Sequence, residues 1–500
     1  MSHVAYQEQP FELEADYVVV GSGAGGSAAA VTLARGGASV AVVEAGPWLD
    51  PEHYPSSVYG AMRDLFDDWG GTVTRGRALW PIVQGRAVGG TTVINSAICV
   101  RTPADIFALW EQEHGVGGDA MAEAVWRHQD EVERELSAEL VPLASAGRSN
   151  ELAMIGANAI GYDSHVITRY AGGCLGEGQC LQGCRAGKKK STNLNYIPEV
   201  VERGGHVLSC APVKMILLTG RRATGVAGTF RHPHTRKKGG RFEVRARRAV
   251  VVAASATHSP ALLERSRIRS AALGQYFRAH PGTGVFGCYA DPVDMNVGAT
   301  QGWASTAFRD EPGLKLETLS IPTELVASRL GGGGTELMRR LANYRHLAMW
   351  CHAVRAESVG TVSNGMGDKP VVRYTMNRAD MERFREGLYL VAKTHVAAGA
   401  RSVVPGVYGL PYELPADQID TIRQAPLDPR RYLAILSHLF GGCVMGSDPE
   451  RSVCDGQGRV HGYQGLVVAD ASVIPTTLGV NPQHTIMALA RLFANALLDS

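Results

Sequence analysis

The apolar positions of this chain fall into short runs and helical stripes. Tyr17–Val20 and Ser39–Val43 are apolar runs of the kind that fill buried parallel strands. Between them, Ala24–Arg35 is a small-faced helix. Residues 204–228 predict strand, turn and strand, and residues 246–268 a strand running into a helix. LAMWCHAV (347–354) and TVSNG (361–365) are strand-like, a helix is expected around 378–398, and Val467–Ala469 is another buried strand. ASRLGGGGTELMRR (327–340) reads as a mobile loop, either a lid or a disordered segment. The chain closes on GVNPQHTIMALARLFANALL, a helix with Asn481 as N-cap and Pro482 in the first turn. Ile486, Met487, Ala490, Phe493 and Leu497 form its apolar stripe. Polar groups crowd the entrance of this otherwise apolar helix, which marks the entrance as a candidate for chemistry.

The strand–helix–strand at the start carries more than a fold signal. Gly21, Gly23 and Gly26 satisfy G-x-G-x-x-G directly after the first strand, and Glu44 follows the second strand. The first glycine permits the turn, the second lets a pyrophosphate reach backbone, and the third lets helix and sheet pack closely. The acid accepts hydrogen bonds from ribose hydroxyls. Together these features specify a dinucleotide cradle in an α/β, Rossmann-type domain.

Composition narrows the remainder. At 45% apolar and 20% charged with net charge +2, the chain is an ordinary globular protein of two or three domains. Nothing points to nucleic acid as a partner. The basic runs at 188–190 and 231–241 read as solvated loop tips. No run of 18 apolar residues is present, so no transmembrane segment is expected. The N-terminus does not read as a secretory signal, and nine cysteines suggest mostly free thiols in the cytoplasm.

Two further motifs make the resemblance specific. GRAVGGTTVIN (85–95) offers bare backbone at Gly89 and Gly90 and hydroxyls at Thr91 and Thr92. HLFGGCVMG (438–446) is followed by GLVVADASVIPTTLGVNPQHT (465–485). With the N-terminal unit, these resemble the glucose–methanol–choline (GMC) oxidoreductase family, closest to its cholesterol-oxidase and aliphatic-alcohol branch.

That resemblance implies FAD, with Gly21, Gly23, Ala24, Gly26, Glu44, Ala45, Gly89, Gly90, Thr91, Asn95, Val213, Ala254, Asp470, Asn481, Pro482 and Gln483 as its contacts. The loop 85–95 runs along the flavin ring with Asn95 near the reactive edge. Some members tether FAD through a His just before that Asn. Ile94 stands there, so FAD is expected to be non-covalent. Asp470 is implied as a ribityl or phosphate partner, and 253–255 as neighbours of the adenosine, although members usually have Gly where Ser255 stands. The start of the terminal helix faces the end of the flavin that turns negative on reduction.

His438 and Asn481 are implied as the catalytic pair. His438 takes the alcohol proton or holds it in a hydrogen bond as hydride passes to flavin N5, and Asn481 donates to the alcohol oxygen. His484 should lie deeper and His258 should be structural. The expected product is an aldehyde or ketone from a bulky, apolar alcohol. Electrons then pass to a quinone-like acceptor, a protein or dioxygen, with a slight preference for a dehydrogenase. The alternatives are a flavin lyase and an electron-transfer subunit.

The implied plan divides the chain into FAD-binding segments 1–105, 196–285 and 426–500, a cap segment 106–195 and a substrate domain 286–425. The last is expected to be an antiparallel sheet with helices, so that the substrate domain as a whole is discontinuous. Met349, Trp350, Trp303 and Phe308 are candidates for the pocket wall, though such residues are more often core. Cys174, Cys180 and Cys184 have a spacing that some dehydrogenase relatives use for a three-iron cluster. Those relatives have Pro after the last Cys, and here Arg185 follows. Structural thiols or one disulfide are therefore the preferred reading, and no metal is expected.

Overall fold

The computed structural model describes residues 2–499. The run Tyr17–Val20 is the inner half of the strand Phe11–Val20. Parallel strands flank it, with Val40–Val43, His206–Leu208 and His3–Val4 on one side and Lys238–Val252 on the other. The last turn of Lys238–Val252 pairs in parallel with Leu466–Val468. Its opening half pairs with the antiparallel hairpin formed by Val213–Thr219 and Arg222–Arg231. Tyr17–Val20 and Val40–Val43 are buried throughout, as strands covered on both faces must be. The helix Ala24–Arg35 makes the first crossover and packs against the terminal helix Gln483–Leu498. The hydroxyl of Tyr17 donates to the Leu497 carbonyl at 2.8 Å, joining the sheet to that helix.

A second sheet is antiparallel throughout, as expected of the substrate domain. Its order is Leu414–Pro415, Ser402–Val404, Arg278–Cys288, Leu347–Val354, Leu314–Thr318, Trp303–Ser305 and His165–Val166, with Ile435–Phe440 also pairing Arg278–Cys288. Arg278–Cys288 crosses the expected border at 285, and Ile435–Phe440 lies beyond the one at 425. Both strands therefore carry cofactor-side sequence into the substrate sheet. The helix Arg378–Ala397 covers one face, burying Phe384, Leu388 and Val391. Met349, Trp350 and Trp303 are core, with Trp350 stacked on His395 at 3.7 Å. Phe308 is half-buried against Tyr162.

Three expectations are corrected. Residues 327–340 are not a loop, because the helices Thr323–Leu330 and Gly334–Ala342 meet there across a glycine turn, and Val326 and Leu330 anchor the first in a core cluster. The basic run 188–190 is not a solvated tip, since Lys189 is buried and its ammonium donates to the carbonyls of Val93, Asn95 and Cys180. The terminal helix starts at Gln483 with Pro482 in the cap position, so Asn481 is free for other contacts. The run 231–241 does form a hairpin tip, exposed at His234, Thr235, Lys237 and Lys238. Among the described residues, no helix is long and apolar enough to cross a membrane.

Candidate active site

The first strand delivers the chain into a turn that only glycine fits. Gly21 sits at φ +96°, and a Cβ there would stand 2.4 Å from the Ala253 carbonyl oxygen. Helix and sheet also approach closely at Gly25, where a Cβ would stand 2.0 Å from the Ala469 carbonyl oxygen. Gly26 has the role the motif assigns it, since a Cβ there would stand 2.0 Å from the Gly21 carbonyl oxygen at the end of the first strand and 3.1 Å from Ala253 Cβ. The helix beginning at Ala24 has no side-chain cap, so its first-turn N–H groups remain available to an anion.

The second glycine loop lies opposite. Gly89 N–H donates to Ser22 Oγ at 3.0 Å, and a Cβ on Gly23 would lie 4.0 Å from Gly90 Cα. Thr91 is exposed and accepts from Gly85 N–H at 3.0 Å. Glu44 ties the loops together. Its Oε2 accepts from the Ser22 N–H and hydroxyl at 2.9 and 2.7 Å, and its Oε1 from Gly46 N–H at 2.8 Å. Ala45, Val213 and Ala254 are half-buried around the same sheet. Ser255 holds φ +98°, a conformation natural to glycine, and its N–H donates to Asp470 Oδ2 at 2.8 Å. Asp470 is buried, and its carboxylate also accepts from the Ser259 hydroxyl at 2.5 Å and Ser472 N–H at 2.7 Å. Burial pushes its pKa up. With its oxygens already engaged, Asp470 shapes the cradle through its backbone more than through a free carboxylate.

The proposed chemical pair comes together. His438 lies on the strand Ile435–Phe440 at a break in register, where Leu439 faces Ala279 and Ser437 faces His280. It is the extra, unpaired residue of a bulge and sits at φ +55°. The bulge turns its ring toward Asn481, and His438 Nε2 lies 3.2 Å from Asn481 Nδ2. Four residues that sequence reasoning missed complete the set. His280 Nδ1 is 3.2 Å from His438 Nδ1. Lys315 is buried, donates to Asn481 Oδ1 and pairs with Glu317 at 2.5 Å. Gln301 Nε2 donates to Glu317 at 3.0 Å. Their signal in the sequence was slight, amounting to two charges at alternate positions, hence on one face, of the otherwise apolar LKLET.

Burial lowers His438 to about 4 and His280 well below the usual imidazole range, so both are neutral at pH 7. Gly479 N–H donates to His280 Nε2 at 3.1 Å, which leaves the single proton of neutral His280 on Nδ1. That proton points at His438 Nδ1 and so assigns the His438 proton to Nε2. Lys315 meanwhile holds the oxygen of the Asn481 amide, which turns its NH2 toward the same space. Two N–H donors thus face one another with no acceptor between them.

On the other side, Asn95 Nδ2 donates to Gln483 Oε1 at 2.5 Å, tying the glycine loop to the first residue of the terminal helix beside Pro482.

Comparison with known proteins decides the family. Residues 15–282 match the GMC oxidoreductase N-terminal family and residues 356–490 its C-terminal family. The chain is a GMC oxidoreductase. An uncharacterised GMC-type oxidoreductase of Mycobacterium tuberculosis is 36% identical over 492 residues, covering 98% of this chain and 76% of that protein. A long-chain-alcohol oxidase of Arabidopsis thaliana is 27% identical, covering 99% and 68%. Among solved structures, pyridoxine 4-oxidase from Mesorbium loti aligns with a TM-score of 0.70 at 18% identity, covering 96% of this chain and 98% of that one. GMC oxidoreductases bind FAD. The facing glycine loops and the uncapped helix of this oxidoreductase suit a dinucleotide, and Ile94 offers it no attachment point.

The other expected residues fall into place around the oxidoreductase's core. His484 is fully buried, with its ring bonded to the Tyr170 hydroxyl and, at 3.1 Å, to Glu133. Cys99, Glu133 and His484 hold potential metal-ligating atoms within 4.8 Å of one another. Arg101 already occupies that carboxylate at 2.9 Å, so the cluster is a charge-matched network. His258 bonds Asp67 at 2.8 Å and is structural. All nine cysteines are free, so of the two preferred readings, structural thiols or one disulfide, the structure has the thiols. An iron–sulfur cluster does not fit either. The Arg169 guanidinium reaches both Cys174 and Cys180, and the space among the thiols is about 20 Å³, room for a single water.

Proposed function

We propose that this oxidoreductase oxidises an alcohol to an aldehyde or ketone. The opposed N–H groups of His438 and Asn481 carry the reading, because an alcohol oxygen placed between them accepts both and completes the hydrogen-bonded set. Negative charge growing on that oxygen then meets two fixed donors in a buried site. The expectation that the alcohol proton passes to His438 changes accordingly. Its Nε2 is already protonated, so the residue acts as a donor, and the alcohol proton passes to water as the oxygen takes on negative charge against the two donors. Lys315 orients Asn481, and His280 orients His438. Bound FAD, held non-covalently, supplies the hydride acceptor. The uncapped start of the terminal helix adds a positive dipole end suited to an anionic reduced cofactor.

The long-chain-alcohol oxidase among the relatives supports a bulky apolar alcohol as substrate. The oxidase names of relatives and structural neighbours favour dioxygen over a quinone-like or protein acceptor. Nine free thiols favour the reducing cytoplasm.

The test is anaerobic mixing of holoenzyme with a panel of alcohols, followed by air. Long-chain alcohols should bleach the flavin and air should restore it. His438→Ala should slow bleaching by about 10²-fold or more, as for loss of one oxyanion donor. His438→Gln, which keeps an N–H, should recover most of the rate. If Gln is as slow as Ala, His438 is a base after all.

A further inference from the structure

Arg169 and Lys189 are each 1% exposed, and among the described residues neither has a carboxylate partner. Arg169 Nε donates to the Ser96 carbonyl at 2.6 Å, its Nη2 lies 2.8 Å from Cys180 Sγ, and its Nη1 lies 3.9 Å from Cys174 Sγ. Lys189 donates through its ammonium only to carbonyls, including that of Cys180 at 2.9 Å, while its backbone N–H donates to Cys184 Sγ at 3.4 Å. Two buried cations require an anion nearby, since an uncompensated buried charge is costly. The sulfur of Cys180, gripped by a guanidinium, is the group that can supply one. The adjoining cavity of about 20 Å³ is on the scale of one water and excludes all but the smallest oxidants.

We propose that Cys180 is a peroxide-reactive cysteine and that Cys174, bound to the same guanidinium, is its resolving partner. The Cys180 thiolate sulfur attacks one peroxide oxygen and the O–O bond breaks. The released hydroxide takes up the proton the thiol had lost and leaves as water, and Cys180 becomes a sulfenic acid. The Cys174 sulfur then attacks the Cys180 sulfur and the S–O bond breaks. A second water carries away the hydroxyl and the Cys174 proton, leaving a disulfide. Two electrons pass from the two sulfurs to one hydrogen peroxide, whether met in the cell or formed by dioxygen at this enzyme's own cofactor. Burial raises the Cys180 thiol, but Arg169 and then Lys189 outweigh it and hold it below its ordinary value. The disulfide removes the anion and leaves both cations uncompensated. Lys189 also holds the carbonyls of Val93 and Asn95 in the cofactor loop, so oxidation loosens the grip on FAD.

The experiment treats holoenzyme at pH 7 with hydrogen peroxide, alkylates the remaining thiols and maps the peptides without reduction. Expected are a Cys174–Cys180 disulfide reversed by dithiothreitol, a dimedone-trapped sulfenic acid on Cys180 in Cys174→Ser, and at least tenfold slower oxidation in Arg169→Gln. An unmodified Cys180, or one linked to Cys184, overturns the proposal. A second measurement needs no variant. Hydrogen peroxide at pH 7 should consume the Cys180 thiol at least tenfold faster than that of Cys288, which is more exposed but raised to about 11 by burial. Equal or slower oxidation of Cys180 also overturns it.

Discussion

Replacing Lys315 by Met tests the hydrogen-bond logic of the site most directly. The substitution keeps the length of the side chain and removes the ammonium. Glu317, 6% exposed, is then left with the Gln301 amide as its remaining hydrogen-bond partner. At present burial raises the Glu317 carboxyl, but the Lys315 ammonium overcomes this and holds it below the usual range. Breaking a buried ion pair on one side costs about 3–5 kcal/mol. With an unfolding entropy of about 2.1 cal/mol/K per residue, that lowers the melting temperature by about 3–5 °C if the chain unfolds as one unit. The Asn481 amide also loses a charge-assisted bond worth about 2 kcal/mol, so its NH2 is no longer aimed. The expected slowing of flavin bleaching is about 30-fold. The double variant Lys315→Met/Glu317→Leu should regain stability, because an apolar pair replaces a buried ionic one at little cost. It should not regain the rate. The assay is thermal melting beside anaerobic stopped-flow. A single variant that melts like the parent, or a double variant that turns over normally, would refute the reasoning.

Three other outcomes follow. The buried imidazoles His438, His352 and His395 are lowered by burial to about 4, 3 and 3. Below pH 6.5 the unfolded chain therefore binds more protons than the folded one, and stability falls as pH drops toward 4, by about 2 kcal/mol for His438 alone at pH 5. Urea midpoints of flavin-free protein at pH 7.5 and 5 measure this, and equal midpoints would contradict it. Ser255→Gly should raise stability by about 1 kcal/mol by relieving φ +98°, and a lower melting temperature would show the Ser hydroxyl to matter more. Acid precipitation should release all flavin into the supernatant, and colour left in the pellet would mean a covalent link that Ile94 cannot provide.

The cradle was legible because each of its parts is local. Tyr17–Val20, the glycines and the helix Ala24–Arg35 lie within 25 residues of one another, and their backbone geometry follows from residue type. His438 and Asn481 were legible through the family motifs around them. His280, Lys315 and Glu317 were not, because their roles depend on which antiparallel strands pair and on a bulge that no periodicity announces. Lys189 misled for a related reason. A lysine among lysines looks solvated, and only tertiary carbonyls show that one of the three points inward. The run 327–340 misled because four consecutive glycines mask a tight link between two short helices.

The bond from Asn95 to Gln483, 388 positions apart, with Gly25 pressed on the still more distant Ala469, means that the nucleotide bay is assembled from the two ends of the sequence. A nascent chain halted before residue 466 would own the phosphate turn but lack the opposite wall. Loading of the cofactor is therefore a late event in biogenesis, and a natural checkpoint for intact synthesis.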